Sequence, residues 1–162
     1  MTTIDRTTDI RGVTVPTFLY GTAWKEDETA RLVREAVEAG FRGIDTANQP
    51  RHYDEPAVGR ALAAILDGDA GPGREDLFVQ TKFTFSGGQD QRIPYDPSAP
   101  VARQVEQSAR SSLEHLGVDR VDGYVLHGPS QRVGLGDADR EAWRAMEVLH
   151  EAGRARLVQD LH

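Results

Sequence analysis

The sequence contains no cysteine, which excludes disulfides, thiolate metal sites and cysteine nucleophiles together. It has no apolar run approaching membrane-spanning length, and residues 1–8 are polar rather than a basic-then-apolar leader. Membrane insertion and secretion are therefore not expected, and the cytoplasm is the default compartment. No block of like charge occurs. The net charge is −7, with both signs interspersed, so the clustered Lys and Arg that nucleic acids or anionic membranes require are missing. The five histidines show no ligand-type spacing, and no metal site is expected. What is present is ordinary for a globular protein: 162 residues, 38% of them hydrophobic, enough to bury the core of one domain.

Short apolar stretches alternate with helical periodicity. Residues 12–16 (GVTVP) read as one arm of an N-terminal hairpin, and residues 17–21 (TFLYG) as a short buried first strand. From Asp27 to Ala39 the apolar positions fall at helical spacing, with Glu26 or Asp27 at the start and Gly40 past the end. A second strand is expected over residues 41–45 and a second helix over 55–66. A Gly-, Pro- and Asp-rich connector leads to a third strand at 77–82. The long 83–99 loop follows, in which Ser86-Gly87-Gly88 lacks phosphate-loop spacing and reads as flexible. A third helix runs from Pro100 to Leu116, a fourth strand covers 121–126 and a fourth helix 137–152. A fifth strand begins at 154–158. His115 and His150 are expected at the helix surface.

Strands alternating with amphipathic helices indicate parallel βα units. Doubly wound sheets and (β/α)₈ barrels both satisfy the pattern, but no GxGxxG follows the first strand, which favours a barrel. The reading is four βα units and the start of a fifth, half to five-eighths of a TIM-type barrel with a short N-terminal hairpin. Residues 1–162 then form one truncated domain.

Four groups able to move or stabilise charge fall at strand ends: Asp45, Tyr53 in the following loop beside His52, Lys82, and His127 in Leu126-His127-Gly128-Pro129. In a parallel α/β arrangement these share one rim, where barrel enzymes keep their sites. Each alone has a plain structural use, as a loop cap, a packing ring or a solvated cation. Their convergence is what singles them out.

The stretch Gly40-Phe41-Arg42-Gly43-Ile44-Asp45-Thr46-Ala47 resembles the G-F-R-x-I-D-T-A motif of the aldo-keto reductases. Tyr53 followed by Glu55 and Val58-Gly59, then Thr81-Lys82, then Leu126-His127-x-Pro129 are similar in order to that family's other motifs. The resemblance covers nearly the whole chain. It implies an NADPH-dependent carbonyl reductase acting on a small-molecule substrate, with Asp45, Tyr53, Lys82 and His127 as the catalytic tetrad. It further implies Thr22, Trp24 and Asp45 as cofactor contacts, and Trp24, His52 and His127 as substrate contacts. The loop DTANQPRHY is longer than the commonest family form, which leaves Tyr53 and His52 both as candidate proton donors. Gly128 stands where many members have tryptophan, implying a more open pocket. In the expected chemistry Lys82 lowers the Tyr53 pKa from its reference of about 10, Asp45 orients Lys82, and His127 hydrogen-bonds the carbonyl oxygen.

Family members are complete barrels of roughly 300 residues, and their cofactor is held largely by the second half. Where the family continues with a G-V-S-N type of sequence after the fifth strand, Gln159-Asp160-Leu161-His162 stand here. A half barrel exposes strand edges, so a homodimer covering them is expected. Three functions follow from this reading. They are a reductase once the barrel is completed, a reductase-derived enzyme doing cofactor-independent acid–base chemistry (dehydratase, isomerase or cyclase), and a non-catalytic remnant or interaction module.

Overall fold

The computed structural model describes residues 6–160, so the expectations that fall on Leu161 and His162 lie outside the described residues. The chain begins with a hairpin of β1 (Thr7–Ile10) and β2 (Val13–Pro16), paired antiparallel with Ile10 opposite Val13. Arg11 (φ 51°) and Gly12 (φ 79°) form its two-residue turn. Positive φ at both positions matches the twist of the arms.

Five parallel strands follow in the order β3 (Tyr20–Gly21), β4 (Gly43–Asp45), β5 (Phe78–Phe83), β6 (Val121–Leu126) and β7 (Ala155–Asp160). Between them run α1 (Thr29–Glu38), α2 (Glu55–Leu66), α3 (Val101–Leu116) and α4 (Asp137–Glu151). Sheet order equals chain order, without the reversal that defines a doubly wound sheet. Each strand pairs in register with the next, Ile44 against Val79 and Lys82 against Val125. This is the parallel βα architecture of a partial barrel.

Local chemistry explains the helix limits. Asp54 caps α2, its Oδ1 accepting from Ala57 N at 2.9 Å, with Pro56 in the first turn where its missing N–H costs nothing. Gly117, in the left-handed conformation (φ 66°), ends α3. Two expectations need correction. The first strand reduces to Tyr20–Gly21, because Phe18 is 70% exposed and the segment before Tyr20 lies outside the sheet. Residues 26–28 form a single 3₁₀ turn before α1 rather than its first turn.

The core lies between the sheet and its helices, built on Val33, Val58, Leu62, Val79, Phe83 and Val105. β5 is buried along its whole length, so its two faces divide by period two. Thr81 turns to α2, and Gln80, Lys82 and Thr84 face the other way, toward Asp45 and His127. At the opposite end of the sheet, buried Asp122 accepts from Val79 N and Arg74 at 2.8 Å and from Arg156 at 3.3 Å. That cluster ties β5, β6 and β7 together away from the rim. Among the described residues no helix is long and apolar enough to cross a membrane, and no acid or histidine group could hold a metal ion.

Candidate active site

The site grows from the C-terminal ends of β4, β5 and β6. Lys82, with its side chain 6% exposed, donates from Nζ to Asp45 Oδ2 at 2.7 Å and to the Thr46 carbonyl at 2.8 Å. Gln80 donates to the other Asp45 oxygen at 2.8 Å. Both carboxylate oxygens are thus occupied, and Asp45 is held rigidly against β5. Lys82 Nζ also lies 5.0 Å from the centroid of the Tyr53 ring, within cation–π reach. The Tyr53 and His127 rings meet edge to face with centroids 6.0 Å apart. Asp45, Tyr53, Lys82 and His127, expected on one rim, are brought together there.

Burial and charge set the protonation states. His127 is pushed down from 6.5 to about 4, first by burial and then by the Lys82 cation, against the opposing pull of Asp45. It is a neutral imidazole at neutral pH. Burial lowers the Lys82 pKa while Asp45 raises it. The Tyr53 phenol stands above its usual value, raised by burial and then by the Asp45 charge. The expected net lowering by Lys82 is thus not found: burial and the Asp45 charge outweigh the pull of the ammonium on the phenol. Asp45 at 2.7 Å offsets the ammonium charge, and burial dominates what remains. The phenol is therefore firmly protonated near neutral pH.

Thr22, expected at a cofactor, is fully buried and donates its hydroxyl to the Asp45 carbonyl at 2.8 Å. It braces Asp45 from the end of the neighbouring strand. Trp24 is 67% exposed and stacks on His52 with ring centroids 4.1 Å apart. His52 and Tyr53 share a cavity of about 540 Å³ with Trp24, Arg51, Arg92 and His115, whereas Asp45, Lys82 and His127 lie outside its lining. A Cβ added at Gly128 would meet nothing within 4 Å, so the space beside His127 is open, as the missing tryptophan implied.

Three supporting residues escaped the sequence reading. Gln80 and Thr84 sit two residues either side of Lys82, on the same strand face, and that alternation was the available signal. Thr84 Oγ1 lies 2.8 Å from His127 Nδ1 and holds the imidazole. Gln49 spans the long loop by bonding Gly88 and His52. Ser86-Gly87-Gly88 forms a 3₁₀ turn in which Ser86 and Gly87 are exposed and Gly88 lies close to Thr84, where a Cβ would come within 2.7 Å of Thr84 Cγ2. His115, expected at the surface, is half-buried and bonds Glu55 at 2.9 Å. Glu55, itself buried, also accepts from Thr81 and, at 3.2 Å, from Ser112.

Residues 17–159 match the family described as the aldo/keto reductase family. An aldo-keto reductase of Mycobacterium tuberculosis is 37% identical over 146 residues, covering 90% of this chain and 44% of that protein. An aldo/keto reductase from Brucella melitensis superposes with a TM-score of 0.72 at 29% identity, over 95% of this chain and 52% of that one. A Bombyx mori aldo-keto reductase in complex with NADP superposes at 0.74 with 27% identity, over 95% and 49%. The chain spans about half the length of the relatives it matches. On the match over residues 17–159, the chain belongs to the aldo/keto reductase family.

Proposed function

We propose that this chain carries the acid–base half of an NAD(P)H-dependent carbonyl reductase, with Tyr53 as proton donor. The observation that supports this most is the placement of Tyr53: its ring centroid lies 5.0 Å from Lys82 Nζ and 6.0 Å from the His127 ring, beside the buried Lys82–Asp45 pair. A proton donor must stand within reach of the groups that orient the carbonyl and stabilise the charge left behind. The Tyr53 ring lies against both Lys82 and His127, whereas the His52 ring stacks on exposed Trp24, which favours Tyr53 as the donor. His127, held through Nδ1 by Thr84, is oriented to bond the carbonyl oxygen and fix its approach. Lys82 then stabilises the phenolate left after proton transfer, and Asp45 keeps the ammonium in place.

A nicotinamide, when bound, supplies the hydride. The donor set fits its reacting end, since a protonated phenol and a neutral imidazole stand together on one rim. Of the three residues expected to touch it, Thr22 and Asp45 are already engaged, and Trp24 is left exposed beside the site. The edges of the sheet at β3 and β7 require further strands, which a second copy of the chain or additional polypeptide would supply.

The test is a titration of the purified chain with NADPH followed by fluorescence, then aldehyde-dependent NADPH oxidation, with light scattering for size. Saturable binding with turnover that Tyr53→Phe abolishes supports the reading. Absent binding by a well-folded chain counts against a self-sufficient reductase. Turnover nearly intact in Tyr53→Phe removes Tyr53 as the acid.

A further inference from the structure

The segment between β4 and α2 is organised by one buried side chain. Gln49 Nε2 donates to the Gly88 carbonyl at 2.7 Å, and Gln49 Oε1 lies 3.0 Å from His52 Nδ1. A backbone carbonyl only accepts, so the amide nitrogen must be the atom that faces Gly88. The amide oxygen, which also only accepts, is then the atom facing the imidazole. Neutral His52 therefore carries its proton on Nδ1, and its Nε2 bears the lone pair.

The ring is fixed from other sides as well. The backbone N–H groups of His52 and Tyr53 both donate to the Gln49 carbonyl at 3.0 Å, and Trp24 N donates to the His52 carbonyl at 2.8 Å. Trp24, stacked on the imidazole, holds a left-handed backbone (φ 60°) that a large side chain adopts only under constraint. Glu26, two residues on, is left-handed too (φ 48°). The same segment thus presents Tyr53 and His52 side by side to one cavity.

We propose that Gln49 is a positioning residue that presents His52 Nε2 as a hydrogen-bond acceptor beside Tyr53, which makes His52 a specificity residue for carbonyl compounds bearing a hydroxyl group. A hydroxyl near the carbonyl donates to the waiting lone pair, whereas a methyl of the same size leaves that acceptor desolvated and unpaired. That these compounds are substrates rests on the reductase reading of Tyr53; the tautomer and the binding preference do not require turnover.

The full chain is examined by nitrogen NMR at alkaline pH, where the expected spectrum shows a protonated Nδ1 and an unprotonated Nε2 for His52. In Gln49→Met both amide bonds are lost and the two tautomers mix. Lactaldehyde and isobutyraldehyde, equal in shape, are then titrated in turn. The hydroxylated aldehyde is expected to bind about three- to tenfold more tightly and to shift the Nε2 resonance. His52→Phe, which keeps the stack on Trp24 and loses the acceptor, is expected to abolish that preference, and it serves even if Gln49→Met fails to fold. A His52 protonated on Nε2 in the parent chain overturns the proposal, as does equal binding of the two aldehydes or a preference that survives His52→Phe. Absent NADPH oxidation alongside the expected tautomer and preference counts against the reductase reading alone.

Discussion

Lys82 reaches Asp45 across the β4–β5 pairing with a 2.7 Å bond, and the same Asp45 charge acts on the Tyr53 phenol. Asp45 raises the Tyr53 pKa, so Asp45→Asn is expected to lower it. An ultraviolet difference titration of the phenol reads this directly, and the midpoint should move to lower pH. An unchanged or higher midpoint would mean that burial alone sets the value. Loss of the orienting carboxylate should also reduce any carbonyl-reductase kcat by about 10²-fold, the lower range for a group serving acid–base transfer.

Gly59 on α2 packs directly against the end of α3. A Cβ there would come within 1.8 Å of the His115 carbonyl oxygen, a backbone atom that cannot turn aside. Gly59→Ala should force α2 and α3 apart and destabilise the fold by about 3 kcal/mol. Urea denaturation gives the number, and a loss below about 0.5 kcal/mol would show that the layer tolerates the shift.

The Glu55–His115 contact predicts a pH-dependent cost. The His115 pKa is raised, chiefly by its hydrogen bond to Glu55, so the stabilisation is full below the unfolded imidazole value and fades as pH rises through the folded one. Glu55→Gln should therefore cost about 2 kcal/mol in mildly acidic buffer, and less in alkaline buffer. Thermal melts across that range test the sign, and a cost that grows with pH would contradict it.

His127 acts in the opposite direction. Its pKa is depressed from 6.5 to about 4, so the unfolded chain binds the proton first and stability declines as pH falls from 6.5 toward 4. His127→Asn should flatten that part of the stability profile. Direct histidine titration by NMR should find this imidazole still neutral at pH values where exposed ones are charged.

Much of the architecture was legible because period and punctuation are local. The α2 boundaries follow from Asp54, Pro56 and the apolar run itself, and β6 from six consecutive buried residues. The short first strand was not legible. TFLYG carries strand-forming residues whose exposure depends on where the sheet ends. The same division runs through the site: Asp45, Lys82 and His127 announce themselves at strand ends, whereas Gln80, Thr84 and Gln49 look like ordinary polar residues until the sheet sets them beside charged partners. Gly123 shows why: it lies opposite Gln80, and a Cβ there would fall within 2.8 Å of the Gln80 side-chain oxygen. The room that lets Gln80 reach Asp45 is created by a glycine on another strand.

The amino-acid sequence by itself determined the alternation of strands and helices, the parallel order and the shared rim of charged residues, because hydrophobic period and strand-end position are properties of the chain read locally. Only the tertiary structure decided the protonation of Tyr53 and His127, the bracing role of Thr22, the burial of His115 and the tautomer of His52. Each of those depends on desolvation or on a partner 20 or more residues away, or, for His52, on an amide whose direction is set by Gly88 across the fold.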